Sequence, residues 1–153
     1  LNISKLENTK KIADIFAKNI FKGNVILFYG EIGVGKTTFI KFLVNSLEKI
    51  DKKNISEITS PTFSLMNQYK LNKFDIHHYD LYRLKSEKDI LSLNIFEDIS
   101  DKIVLIEWPE ILGEHKPRNT IDINFEYGEN FNSRYLTISA YEKLKIFDEF
   151  KSL

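Results

Sequence analysis

The run Gly30-Glu31-Ile32-Gly33-Val34-Gly35-Lys36-Thr37 brings glycines, an ammonium and a hydroxyl together in one short stretch. It satisfies G-x-x-x-x-G-K-[ST], the pattern of a loop that cradles a polyphosphate. Each residue type has a physical task. The glycines let main-chain N–H groups turn inward onto phosphate oxygens, and a helix beginning near Gly35 adds the positive end of its dipole. Lys36 neutralises charge on the β- and γ-phosphates, and Thr37 offers a hydroxyl to magnesium, whose shell is completed by phosphate oxygens and water. Thr38 reaches a further phosphate oxygen. The sequence therefore predicts that Gly30, Glu31, Ile32, Gly33, Val34 and Gly35, with Lys36, Thr37 and Thr38, hold a nucleotide.

Hydrolysis at such a loop needs a carboxylate at the end of a neighbouring strand, to hold the metal's water or orient the attacking one. Glu107 directly follows the apolar run Ile103 to Ile106, so it should emerge at a carboxyl edge. Asp80 ends a strand within His77-His78-Tyr79-Asp80-Leu81-Tyr82-Arg83 and competes for the same duty, with a structural pairing to Arg83 as its alternative. The sequence leaves open which acid meets magnesium. Trp108, the sole tryptophan, lies between Glu107 and Pro109, which sets a large ring beside the site; core filling is the competing reading. Ser60-Pro61-Thr62-Phe63 precedes a strand and either carries the Thr62 hydroxyl over the γ-phosphate as a switch or forms an ordinary proline turn. His77 and His78 point to opposite faces of a strand and cannot easily share a metal, so neither is assigned chemistry. Asn72-Lys73-Phe74-Asp75 matches the guanine-reading N-K-x-D string but falls on a turn, and no D-x-x-G occurs anywhere, which favours ATP over GTP.

The elements that must position these groups are visible in the periodicity. Ile12, Ile15, Phe16 and Ile20 recur at helical spacing from Asn8 to Ile20, with Asn8 or Thr9 suited to cap the start. Val25 to Tyr29 reads as a fully buried strand, and Ile40, Leu43, Val44 and Leu47 restore a helical period after the glycines. Alternation then predicts a hairpin: Phe63, Leu65, Asn67 and Tyr69 on one strand, a turn at Leu71 to Lys73, and Phe74, Ile76, His78 and Asp80 on the other. Residues 87–100 read as short helical turns broken at Asn94. Ile103 to Ile106 is a second buried strand, and Pro109 and Pro117 bracket an irregular stretch. Ile121, Ile123 and Phe125 pair with Leu136 and Ile138 across a turn at Gly128 to Asn130, and a last helix carries Leu144, Phe147 and Phe150. The expected fold is α/β: a P-loop NTPase-like three-layer sandwich whose central mixed sheet has parallel core strands and antiparallel hairpins.

Composition narrows the function classes. With 42% hydrophobic and 29% charged residues, neither disorder nor a fibrous repeat is indicated. No repeat or linker divides residues 1–153, which are read as a single domain. Twenty-two basic residues balance twenty-two acidic ones, removing the electrostatic warrant for a protein that wraps nucleic acid unaided. The absence of cysteine excludes disulfides, zinc fingers and thiol nucleophiles. No apolar run approaches the ~20 residues needed to cross a bilayer, so no membrane association and a cytoplasmic location are expected.

Taken together, GEIGVGKTTFIKFL, SPTFSLMNQY, HHYDLYRL and IEWPE occur in the order and approximate spacing of one family. The chain resembles the bacterial tRNA threonylcarbamoyladenosine biosynthesis ATPases, the TsaE or YjeE family, over most of its length. That resemblance implies an ATPase supporting TsaD- and TsaB-type partners that install threonylcarbamoyl on the adenosine beside the anticodon, with tRNA contacted through the partner complex. It implies ATP and Mg²⁺ at Lys36 and Thr37, Glu107 as second metal contact, and Asp80, Thr62 and Trp108 as residues important to hydrolysis. Thr9 and Arg134 resemble positions that approach the nucleotide. Asn94 stands where the family's glycine is expected; asparagine can adopt the same backbone. A small-molecule or nucleotide kinase shares the loop but needs an arginine-rich lid, and Arg83, Arg118 and Arg134 are not clustered in the sequence.

Overall fold

A computed structural model describes residues 1–140 and 149–150. In chain order the elements are α1 (Leu6–Asn19), β1 (Val25–Tyr29), α2 (Lys36–Ile50), β2 (Met66–Lys70), β3 (Asp75–Asp80), α3 (Glu87–Ser92), β4 (Lys102–Glu107), β5 (Thr120–Tyr127) and β6 (Arg134–Ala140), with 3₁₀ stretches at Ile99–Asp101 and Pro109–His115. Six strands form one sheet in the order β2-β3-β4-β1-β5-β6. The inner strands β3, β4, β1 and β5 are parallel, and β2 and β6 pair antiparallel at the two edges.

Cover on both faces explains why β1 reads as an unbroken apolar run rather than an alternation. On one face α1 and α2 press Phe16, Phe39, Ile40 and Leu43 onto Ile26, Phe28 and Phe125. Phe39 is the hub: its ring lies 6.1 Å from Phe16 and 5.8 Å from Phe125, both edge-on. On the other face Ile90, Ile95 and Leu112 pack against Leu27, Val104 and Ile106. Helices, sheet and short helical segments make the three layers expected from the sequence.

Register then fixes the site. Asp80 pairs with Glu107, and Glu107 pairs with Phe28, so β3, β4 and β1 end together at one carboxyl edge. Alternation places Ile76, His78 and Asp80 on the face that carries α2, with Ile103, Leu105 and Glu107 beside them. That edge is also where the chain leaves β1 for the glycine loop.

Two local readings need correction. α1 begins at Leu6 behind Lys5, whose side chain makes no cap. Asn8 instead donates to the Asn2 carbonyl, and Thr9 is turned inward, donating to the carbonyls of Ile3 and Lys5. The hairpin's first strand starts at Met66, not Phe63: residues 62–64 form a turn, Leu65 has φ 65°, and Phe63 is exposed. Alternation of apolar residues across a turn had mimicked a strand. The rest of the hairpin holds, with the Leu71 N–H donating to the Phe74 carbonyl and N-K-x-D lying on that turn. α3 stops at Ser92, and Asn94 takes the left-handed conformation expected of it, φ 47°. The expected last helix, with Leu144 and Phe147, lies outside the described residues.

Candidate active site

The loop leaves β1 through Gly30, where any Cβ would sit 2.5 Å from the Phe125 carbonyl oxygen of β5; no side chain fits there. It enters α2 through Gly35, held at φ 120°, a conformation costly for other residues. Helix hydrogen bonding begins only with the Phe39 N–H donating to the Gly35 carbonyl. The amides of the preceding turn thus lack intrahelical partners and lie at the positive end of the helix dipole, beside the glycine loop. Val34 is buried in the core and anchors the loop, whereas Ile32 is exposed and its carbonyl accepts from the Tyr127 hydroxyl at 3.3 Å.

Lys36 lies back across the loop. Its Nζ donates to the carbonyls of Gly30 and Glu31, and sits 4.0 Å from the centre of the Trp108 ring. Trp108 takes the left-handed conformation at φ 58°, which turns the indole over the ammonium instead of letting β4 continue. Burial pushes the Lys36 ammonium below its ordinary pKa, and Glu107, Glu110 and Asp80 pull in the opposite direction. A desolvated cation inside a cleft is favourable ground for a polyanion.

The carboxylates occupy the same cleft, of about 280 Å³, and they separate into different roles. The Thr37 hydroxyl donates to Glu107 at 2.8 Å to Oε2, with Oε1 at 3.1 Å. His78 Nε2 lies 2.8 Å from Glu107 Oε1 on the other side. Asp80 does not pair with Arg83. Its Oδ2 accepts from Thr62 at 2.8 Å and Ser60 at 3.2 Å, and its Oδ1 takes the Tyr82 N–H at 3.0 Å. Arg83 turns outward over the Phe63 ring, at 5.4 Å. Thr37 and Glu107 are hard oxygen donors side by side, a set that suits magnesium. Among the described residues no three His, Cys, Asp or Glu side chains converge, so the residues present fit an ion held largely by phosphate and water rather than an all-protein cage.

On the opposite side of the loop a second hollow runs between α1 and β6, lined by Thr9, Gly33, Gly35, Thr38 and Arg134. The Arg134 guanidinium lies 5.5 Å from the Tyr127 ring, and its buried Nε makes no hydrogen bond. The two positions taken from resemblance alone therefore flank the glycine loop. Thr9 contributes packing there, because its hydroxyl is already committed to Ile3 and Lys5.

Sequence reasoning passed over His78, Ser60 and Tyr82. The signal for His78 was present: it stands two residues before Asp80 on one strand and must share its face. As one of two adjacent histidines on opposite faces of a strand, it does not stand out as a ligand by spacing. Tyr82, whose ring lies 4.9 Å from Trp108, follows a strand end and carried no periodic signal.

The family model described as "Threonylcarbamoyl adenosine biosynthesis protein TsaE" matches residues 3–136. A protein of Rickettsia conorii named "tRNA threonylcarbamoyladenosine biosynthesis protein TsaE" is 36% identical over 137 residues, 90% of this chain and 75% of its own. Proteins with the same name from Rickettsia bellii and Nostoc are 39% and 36% identical, covering 78% and 88% of this chain and 81% and 82% of theirs. The crystal structure of the Bacillus protein YdiB superposes with a TM-score of 0.71 at 22% identity, covering 99% of this chain and 92% of that one, which supports the P-loop fold. The chain belongs to the TsaE family.

Proposed function

We propose that this protein is a magnesium-dependent ATPase serving threonylcarbamoyl modification of adenosine in tRNA. The observation that carries the reading is the convergence of Lys36, Thr37 and Glu107 at the leading end of α2. On this reading residues 1–153 act as one ATPase domain, and the pathway role follows from the names of the relatives. TsaD- and TsaB-type proteins are the proposed partners, with tRNA met through them.

The chain's own groups divide the work. Loop amides and Lys36 bind the β- and γ-phosphates, and Lys36 exchanges its two carbonyl partners for phosphate oxygens. Thr37 and Glu107 would hold magnesium, which when bound would offset phosphate charge. Between the two acids, Glu107 is assigned to the metal because it is the one hydrogen-bonded to Thr37. Asp80 accepts from Ser60 and Thr62 and so holds the segment 60–62 over the cleft proposed to take the γ-phosphate, where the Thr62 hydroxyl would have to leave Asp80 to meet a phosphate oxygen. Trp108 and Tyr82 wall the cleft and limit water near the reacting phosphorus. Water attacks phosphorus as the bond to the β–γ bridging oxygen breaks, giving ADP and inorganic phosphate. Arg134 and the hollow beside it receive the rest of the nucleotide, with Thr9 packed behind.

None of the three arginines stands over the phosphate end of the cleft, so slow turnover is expected for the protein alone, with acceleration by its partners. Two assays test the reading. Phosphate release from ATP with no acceptor present should require magnesium; transfer only to a nucleoside or sugar would make the protein a kinase instead. Reconstituted tRNA modification should fail without this protein, and unaffected modification would separate it from that pathway.

A further inference from the structure

His78 is buried completely, yet its ring faces the one carboxylate that touches Thr37. Nε2 lies 2.8 Å from Glu107 Oε1, and the tautomer that carries its proton on Nε2 donates it to that oxygen. The other nitrogen, Nδ1, is buried and has no hydrogen-bond partner. A ring placed here for packing alone would leave that nitrogen dry at a cost an apolar residue would avoid. What the imidazole supplies that Leu or Phe could not is a rigid donor aimed at Glu107.

The register shows why a donor is needed. Glu107 is the last residue of β4, and His78 is its diagonal neighbour on β3, two positions before the residue paired with it. Thr37 reaches the carboxylate from α2. A terminal side chain with several rotatable bonds is thus pinned from two independent elements. We infer that His78 is a positioning residue for Glu107: it fixes the carboxylate's orientation so that magnesium bound with Thr37 meets a preorganised oxygen. The inference deepens the ATPase reading and rests on it, since it gives His78 no duty unless Glu107 serves the metal. Groups that orient a metal's carboxylate or imidazole ligands typically contribute about 10–100-fold in metal affinity or activity.

Two substitutions of equal chemistry and different reach test this. In His78→Gln the amide nitrogen reaches about as far as Nε2; in His78→Asn it stops near the position of Nδ1. In the full-length protein, ADP is titrated calorimetrically without magnesium and then across a magnesium series, alongside kcat and KM for ATP. Asn is expected to lower magnesium affinity and kcat about 10–100-fold, with magnesium-free ADP binding unchanged, and Gln to restore most of both. A His78→Leu variant that folds should match Asn; if it does not fold, the Asn and Gln pair decides. Equal values for Asn and Gln, or a uniform loss that includes magnesium-free ADP binding, would overturn the inference. Wild-type protein that binds ADP with no magnesium dependence would remove the parent reading as well, whereas a magnesium dependence that ignores position 78 would remove this inference alone.

Discussion

On the β3–β4 side of Lys36, both buried carboxylates are already held: Glu107 by Thr37 and His78, and Asp80 by Ser60, Thr62 and the Tyr82 amide. On the β6 side, Arg134 lines a hollow beside the same loop, and its buried Nε has no hydrogen-bond partner. Both flanks are built on strand ends, but one already holds its reactive groups in place and the other keeps a donor in reserve. The contrast matches the two tasks proposed for them. Chemistry at phosphorus rewards preorganised groups, because geometry fixed in advance costs nothing at the moment of reaction. Holding the remainder of a nucleotide rewards groups whose hydrogen bonds form only on binding.

Substitutions on each flank should therefore separate rate from affinity. The largest effect is expected at the point both flanks share: Lys36→Ala should reduce phosphate release by at least about 10²–10³-fold with an unchanged circular dichroism spectrum, since in the free protein the ammonium meets two loop carbonyls and the Trp108 ring, none of them part of a strand or helix core. Next comes Asp80→Asn, which weakens the bonds holding segment 60–62. Hydrogen bonds to charged groups contribute about 1.5–3 kcal/mol, so kcat should fall about 10–100-fold while nucleotide affinity stays near wild type. On the other flank Arg134→Met keeps the stem and removes the guanidinium. Nucleotide Kd, by calorimetry, should rise about 5–10-fold, more than kcat moves. A rate loss at Arg134 larger than its affinity loss would erase the distinction between the flanks.

The smallest effect is a control on the far face of the sheet. Ser86 and Asp89 form a reciprocal cap on α3, and the Ser86 side chain, then the Lys85 amide, hold the Asp89 carboxyl below its ordinary pKa. A carboxyl depressed on folding contributes stability above its unfolded pKa and loses it as pH falls through the lower folded value. Amides of α3 should thus lose protection in acid, measured against intrinsic exchange at the same pH, and Asp89→Asn should remove that pH dependence without altering ATP turnover.

Much of this was legible in the residues themselves. The glycine loop, the apolar run before Glu107 and the strand ending at Asp80 carry strong local signals, and register alone then brings both acids to one edge. What was not legible depends on side chains choosing partners across elements. Proximity in sequence favours a pairing of Asp80 with Arg83, but the strand end aims it at the 60–62 turn instead. Thr9 looked like a helix cap; a bridge from Asn2 to Tyr135 draws the N-terminus along β6, and Thr9 is pulled inward with it. Phe63 alternates with Leu65 as a strand residue would, yet the proline turn before it decides the backbone. Trp108 reads equally as core or as site until its left-handed backbone is seen.

The central claim is that the leading turn of α2, Lys36 and Thr37 together enclose a polyphosphate. Calorimetric titration of the folded full-length chain with ADP and magnesium, beside Lys36→Ala, tests it most directly. Saturable heat of association with the wild type, lost or weakened at least about tenfold in the variant, is the predicted result. Equal binding by both proteins, or none by a well-folded wild type with any adenine nucleotide, would contradict it.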